Sequence, residues 1–276
     1  MEFIDEQLVN FKNMIENAIK EKGATGKESV IRSQALINLI HDAVKHQLIL
    51  EGIKEENIYP PLFCSKPELK LAGYLKQKDQ DVCVIPSHIE KVPTKIDWGP
   101  LSFENANDPY GFEFSTNTLV INVRSQMSSL SKNADTLFER TFAEAQNLHM
   151  RYKQMVLGEV YLIPTHEYDD ELVKHNTIGF KDNPVKIEKY ISFFNSISNR
   201  KSDGTDYCYE RCALLIVDFN RKVPKLYTNT AELKRDHLIS DEFEIEYENI
   251  SFKNFIKDLL DVYSERYDIN NLKREK

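Results

Sequence analysis

The stretch TLVINVRSQ, residues 118–126, carries the first side chains whose types and spacing could do chemistry. Side chains alternate between the two faces of a strand, so Asn122 and Arg124 share one face with Val120. Arginine cannot act as a base at neutral pH because its pKa is too high, but it can stabilise negative charge on a phosphate. The pattern therefore predicts a strand whose polar end faces either a phosphate or water.

Three acids precede this strand and could act with it. Glu113 stands between Phe112 and Phe114, and the FEF pattern predicts a short strand that forms a hairpin-like pair with residues 118–123. Asp108 in NDPYGF and Asp97 in KIDWGP are the alternative acids. Asp108 precedes a proline, so a role as a turn residue would explain it equally well. The sequence leaves open which of the three acts.

A helix is predicted after the strand, over SSLSKNADTLFERTFAEAQNLHMRYK. At about 100° per residue, Glu144 lies about 20° from Leu137, at the border of the apolar stripe, whereas Glu139 points nearly away from it. Glu144 should therefore face the sheet. A carboxylate at that border needs a partner, and either a metal ion or Arg140, one helical turn back, would serve.

The acid before the strand, the Asn122-x-Arg124 pair and the FAEAQNL helix together resemble the core of the PD-(D/E)XK nuclease superfamily, and within it the type II restriction endonucleases. The resemblance covers about residues 97–219. In that family an acid on one hairpin strand and an acid-x-Lys on the next hold Mg²⁺ beside the scissile phosphate. One branch takes a glutamate from the following helix instead, as Glu144 would supply. Asn122 and Arg124 stand where the family usually has an acid and a lysine.

The resemblance implies an activity and a set of site residues. The activity is Mg²⁺-dependent, sequence-specific cleavage of double-stranded DNA, with Glu113 and Glu144 as metal ligands, because Mg²⁺ prefers oxygen ligands. The implied catalytic residues are Glu113, Asn122, Arg124, Glu144 and Asp108. Basic residues of two polar loops would contact DNA, namely Arg200, Lys201, Arg221 and Lys222.

The order of predicted elements is hairpin, helix, strand, helix, strand, with helices before and after. This order predicts an α/β (α+β) fold with a central mixed sheet of the restriction-endonuclease-like type, flanked by helices. Three segments are expected along the chain. They are a helical N-terminal subdomain and connector (1–95), a nuclease-like core (96–240), and a C-terminal helix packing on the core (241–276).

Composition narrows the function classes. The net charge of −8 argues against a protein that coats nucleic acid nonspecifically, although a sequence-specific DNA enzyme remains compatible with it. No run approaches the roughly 18 apolar residues that a membrane span needs, so we expect a cytoplasmic protein without a membrane partner. A palindromic DNA site would favour a homodimer or tetramer. Two alternatives stay open: a catalytically silent DNA-binding or regulatory module on the same scaffold, and an interaction protein without a nucleic-acid role.

Overall fold

A computed structural model describes residues 2–201 and 203–274 of the chain. Its eight α-helices within these residues are α1 (Phe3–Arg32), α2 (Gln34–Leu50), α3 (Phe112–Thr116), α4 (Leu130–His149), α5 (Asp170–Lys174), α6 (Ile187–Ile197), α7 (Thr230–Arg235) and α8 (Phe252–Arg266). The strands are β1 (Ile58–Tyr59), β2 (Leu69–Ala72), β3 (Gln77–Gln80), β4 (Val82–Val84), β5 (Thr94–Lys95), β6 (Asn107–Asp108), β7 (Leu119–Ser125), β8 (Leu157–Pro164), β9 (Arg211–Asp218) and β10 (Lys225–Leu226).

Six strands form one mixed sheet in the order β1-β4-β7-β8-β9-β10. The neighbours β4 and β7 are antiparallel, whereas β7, β8 and β9 run parallel to one another. Parallel neighbours require a crossover, and α4 supplies it between β7 and β8, as α6 does between β8 and β9. The α+β fold with a central mixed sheet, flanking helices and an N-terminal helical region is thus confirmed.

Helices cover both faces of the sheet. Apolar residues of α1, α2 and α8 pack on one face, and those of α4 and α6 pack on the other. Every residue of β8 is buried. This two-sided burial explains why β8 and β9 read as nearly continuous apolar runs rather than as alternating patterns. Any charged side chain within β8 must therefore find its partners inside the protein.

The predicted strand at residues 112–114 is wrong, because these residues form the short helix α3. Asp108 accepts hydrogen bonds from the backbone N–H groups of Tyr110 and Gly111, which turns the chain just before the helix. Gly111 has a φ of 83°, in the left-handed region that favours glycine. The antiparallel partner of β7 is instead β4, which lies in the segment predicted to be a connector.

The N-terminal region also differs from the expected boundaries. The helix α1 runs to Arg32 with a kink at Gly23, where φ is 54° and ψ is −132°. The central sheet extends across the boundary expected at residue 95, since β1 and β4 both precede it. Within residues 2–201 and 203–274, no helix combines the length and the apolar character needed to cross a bilayer.

Candidate active site

The strand β7 places Asn122 and Arg124 on the face covered by α4. Val120 belongs to the apolar cluster on that face, whereas Ile121 and Val123 belong to the cluster on the other face. Asn122 is fully buried and Arg124 is largely buried. The alternation predicted from TLVINV is therefore present, and the two polar side chains point into the layer between the sheet and α4 rather than into water.

Arg124 joins the helix to the sheet. Its Nη1 donates a hydrogen bond to Thr141 Oγ1 at 3.0 Å, and its Nη2 forms an ion pair with Glu144. The same Nη1 lies 3.5 Å from Glu159 Oε1 of β8. Burial disfavours the charge on Arg124, but attraction to Glu159 and Glu144 outweighs burial and raises the pKa of the guanidinium. Arg124 is therefore a fixed positive charge between two carboxylates.

Glu144 faces the sheet, on the side that helical periodicity predicted, and three cations contact it. Besides Arg124, Lys78 Nζ lies 2.6 Å from Oε2 and Arg140 Nε lies 3.2 Å from Oε1. Burial alone would raise the pKa of Glu144, but attraction to Arg124 and Lys78 holds it below its usual value. The Glu144–Arg140 pair expected as the alternative to a metal ion is thus formed, as part of a larger ionic cluster. Glu139 is exposed, again as expected.

Glu159 is a member of the cluster that the sequence reasoning missed. It is fully buried in the middle of β8, directly opposite Asn122 in the parallel register. Neither of its carboxylate oxygens has a hydrogen-bond donor among the described residues. Burial raises the pKa of Glu159 to about 7, against the attraction of Arg124. The signal for Glu159 in the sequence is a single acid inside the otherwise apolar run VLGEVYLIP.

Asp81 is the second residue that sequence reasoning missed. It directly precedes β4, the strand that pairs with β7, and its Oδ2 accepts a hydrogen bond from the backbone N–H of Val123 at 2.9 Å. Asp81 also raises the pKa of Arg124 by attraction. The acid next to the strand antiparallel to β7 is therefore Asp81 rather than Glu113. The acidic and polar QKDQD segment was a visible signal, but the pairing of β4 with β7 was not.

The three acids that precede β7 and were predicted to act with it do not join this cluster. Glu113 is exposed on α3, and Asp97 is exposed in the loop after β5. Asp108 is buried, but its oxygens are engaged by the turn at Tyr110 and by the hydroxyl of Tyr152 at 2.7 Å. Asp108 therefore has the turn role that was the alternative interpretation. Together these placements leave Glu144 as the one predicted acid that reaches Arg124.

The four predicted DNA-contacting residues fall into two groups. Arg200 is buried and donates to Glu210 at 3.0 Å and to two backbone carbonyls, so it does not lie free on the loop surface. Arg221 forms ion pairs with Asp218 and Asp236. Lys201 and Lys222 are exposed.

The predicted metal ligands, Glu113 and Glu144, do not fit a Mg²⁺ ion, since the first is remote and the second is neutralised by three cations. Nor is any group of three or more His, Cys, Asp or Glu side chains within the described ranges arranged to hold a metal ion. The buried oxygens without a hydrogen-bond partner among the described residues include both those of Glu159, Oδ1 of Asn122 and Oε1 of Gln80. A carboxylate with amide oxygens matches the donor chemistry of Mg²⁺, which completes its shell with water and phosphate.

Comparison with protein-family models, with curated proteins and with solved structures finds no match to this chain.

Proposed function

We propose that this protein is a Mg²⁺-dependent, sequence-specific endonuclease of double-stranded DNA, similar to type II restriction enzymes, with its site around Arg124. The observation that carries the proposal is the convergence of two carboxylates, Glu144 and Glu159, on one largely buried arginine, with Asp81 hydrogen-bonded to the neighbouring backbone N–H of Val123. This cluster lies where an antiparallel pair of strands is followed by a helix and a parallel strand. The order of strands and helices supports a restriction-endonuclease-like scaffold.

The side chains of the cluster have distinct parts in such a reaction. Arg124 orients Glu144 and Glu159, while Lys78 and Arg140 are the more exposed cations and would meet the phosphate first. Glu159 and Asn122 are the residues that would hold Mg²⁺, which supplies positive charge beside the phosphate and lowers the pKa of a bound water. A palindromic DNA site favours a homodimer or tetramer. We expect the enzyme to act in the cytoplasm.

A second candidate function has an observation in its favour. Both carboxylate oxygens of Glu144 are engaged by cations, and Asn122 replaces the second acid of the resemblance. A cluster closed by its own ion pairs is suited to holding α4 against the sheet rather than to binding a metal ion. The same scaffold would then be a catalytically silent DNA-binding or protein-interaction module.

Digestion of unmethylated phage-sized DNA, with Mg²⁺ and with EDTA, separates the two candidates. We expect discrete fragments that require Mg²⁺, that disappear in Glu159→Gln, and that persist in the control Glu139→Gln, which removes an exposed acid from α4. Intact DNA together with a gel shift that does not require a divalent cation would instead support the silent DNA-binding module. Neither cleavage nor a gel shift would exclude both DNA functions.

A further inference from the structure

A cationic cleft of about 520 Å³ lies away from the Arg124 cluster, where the first residue of β9 and the last residue of α8 meet the loop that follows α6. Its charged lining consists of four cations and two acids, in a protein whose net charge is −8. The charged residues are Arg200, Lys201, Arg211, Arg266, Asp203 and Glu265.

A buried carboxylate holds the two deepest arginines in place. Arg200 Nη1 and Arg266 Nη1 both donate to Oε1 of Glu210, at 3.0 and 2.9 Å. Glu210 is completely buried, and the side chains of Arg200 and Arg266 are only 1% and 8% exposed. Arg200 also forms an ion pair with Asp206 at 3.4 Å, so Glu210 and Asp206 together offset these two guanidinium groups. These buried ion pairs fix the two arginine side chains, so the site is preorganised, unlike a group of mobile surface lysines. Arg211 and Lys201 add further positive charge to the lining of the cleft.

Donor groups in this cleft remain available. Arg266 donates through Nη1 only, to Glu210 and to the carbonyls of Gln154 and Met155. Its Nε and Nη2 have no acceptor among the residues that the structure describes. Arg211 likewise donates through Nη1 alone, to the carbonyl of Glu210 at 2.6 Å. Two guanidinium groups that line one cleft with unused N–H groups match an anion with several acceptor oxygens.

We propose that this cleft binds a phosphate group. Phosphate is favoured because it presents several oxygens to the paired guanidinium groups, and because the cleft is larger than a single ion and has the size of a small-ligand pocket. Exposed Lys201 adds a positive charge at the rim. The phosphate belongs either to a mononucleotide or to a DNA backbone, and both present the same chemistry. This site is separate from the proposed nuclease centre and does not depend on it.

Calorimetric titration of the full chain with inorganic phosphate, a deoxymononucleotide and a short DNA duplex tests the proposal. We expect saturable phosphate binding that Arg211→Gln weakens by about tenfold, because a charge-assisted donor is lost. Glu265→Gln should tighten binding by about threefold, because it removes a repelling carboxylate. Lys132→Gln, an exposed cation on α4 outside the cleft, is the matched control and should leave the affinity unchanged.

The three probes also identify the source of the phosphate. A mononucleotide that binds more tightly than inorganic phosphate supports a nucleotide site, whereas tighter binding of the duplex, sensitive to Arg211→Gln, supports a backbone contact. The absence of saturable binding for all three probes would overturn the proposal, as would equal weakening by Lys132→Gln and Arg211→Gln. Glu265→Gln keeps the test decisive if Arg211→Gln does not fold, because its effect has the opposite sign.

Discussion

Asn122 of β7 lies directly beside Glu159 of β8 in the parallel register, and the side-chain oxygens of both are buried without a donor among the described residues. Such oxygens are costly in a protein interior, because each has lost its water without gaining a hydrogen bond. Their position next to Arg124 distinguishes this region from an ordinary packed core, because a site for a ligand would tolerate the cost that a purely structural core would avoid.

Glu159→Gln should change how stability depends on pH. The pKa of Glu159 is raised to about 7 in the folded protein, from an ordinary value of 4.5. Between these values the folded state binds more protons than the unfolded state, so the free energy of unfolding falls as pH rises through this window. The fall is about 3 kcal/mol at most, and the glutamine variant should lack it. Urea unfolding at pH 5, 6, 7 and 8 measures it, and identical slopes for both proteins would contradict the assignment.

Arg124→Gln should destabilise the fold by about 3 kcal/mol. The substitution leaves Glu159 buried without its nearest positive charge and removes one of the three cations on Glu144. Arg140→Gln is the matched control, since Arg140 contacts the same Glu144 but is 65% exposed. It should cost about 1 kcal/mol or less. Equal losses of unfolding free energy in the two variants, measured with urea, would show that Arg124 stabilises the fold no more than Arg140 does.

Arg200 and Lys201 are neighbours in sequence but should respond very differently to the loss of charge. Arg200→Gln removes a buried partner of Glu210 and should lower the free energy of unfolding by about 3 kcal/mol. Lys201→Gln changes an exposed side chain and should stay within about 0.5 kcal/mol of the unmodified protein. Thermal or urea unfolding measures the free energy of unfolding of both variants. A negligible effect of Arg200→Gln would mean that the ion pair of Arg200 with Glu210 contributes little to stability.

Asn147→Ala should loosen the turn between β2 and β3. Asn147 Oδ1 accepts from the backbone N–H groups of Leu75 at 2.7 Å and Lys76 at 3.3 Å, which holds this hairpin on α4. Loss of the acceptor should cost about 1–3 kcal/mol locally. Hydrogen exchange at the Leu75 amide should become faster, while the exposed neighbour substitution Gln146→Ala should leave it unchanged. Unchanged exchange in both variants would remove Asn147 from this positioning role.

The hairpin contact has a consequence for the cluster, because β3 carries Lys78 to Glu144. The sequence pattern FAEAQNL contains both Glu144 and Asn147, and both face the inner side of α4. Helical periodicity alone placed Glu144 towards the sheet and Glu139 towards solvent, because the spacing of apolar residues fixes the buried face of a helix. What Asn147 contacts depends instead on a hairpin more than 70 residues earlier in the chain.

Elements whose pattern is local could be predicted from the order of the residues. The alternation in TLVINV put Asn122 and Arg124 on one face of β7, and the apolar runs of β8 and β9 identified both as strands. The prediction from FEF was wrong because three residues do not distinguish a strand from a helical turn. The hydrogen bonds of Asp108 and the left-handed conformation of Gly111 instead form the turn that starts the helix.

The contacts between charged side chains depend on how distant segments of the chain pack together. The partner of β7 is β4, about 40 residues away along the chain, so the acid beside the strand is Asp81 and not Glu113. Glu159 belongs to the cluster only because the parallel register sets it opposite Asn122. Strand pairing and register arise from packing between segments distant in sequence, and a shift of one residue would turn Glu159 to the opposite face. The alternation of side chains along a strand can be predicted from its sequence, but the strand that pairs with it is determined by the fold.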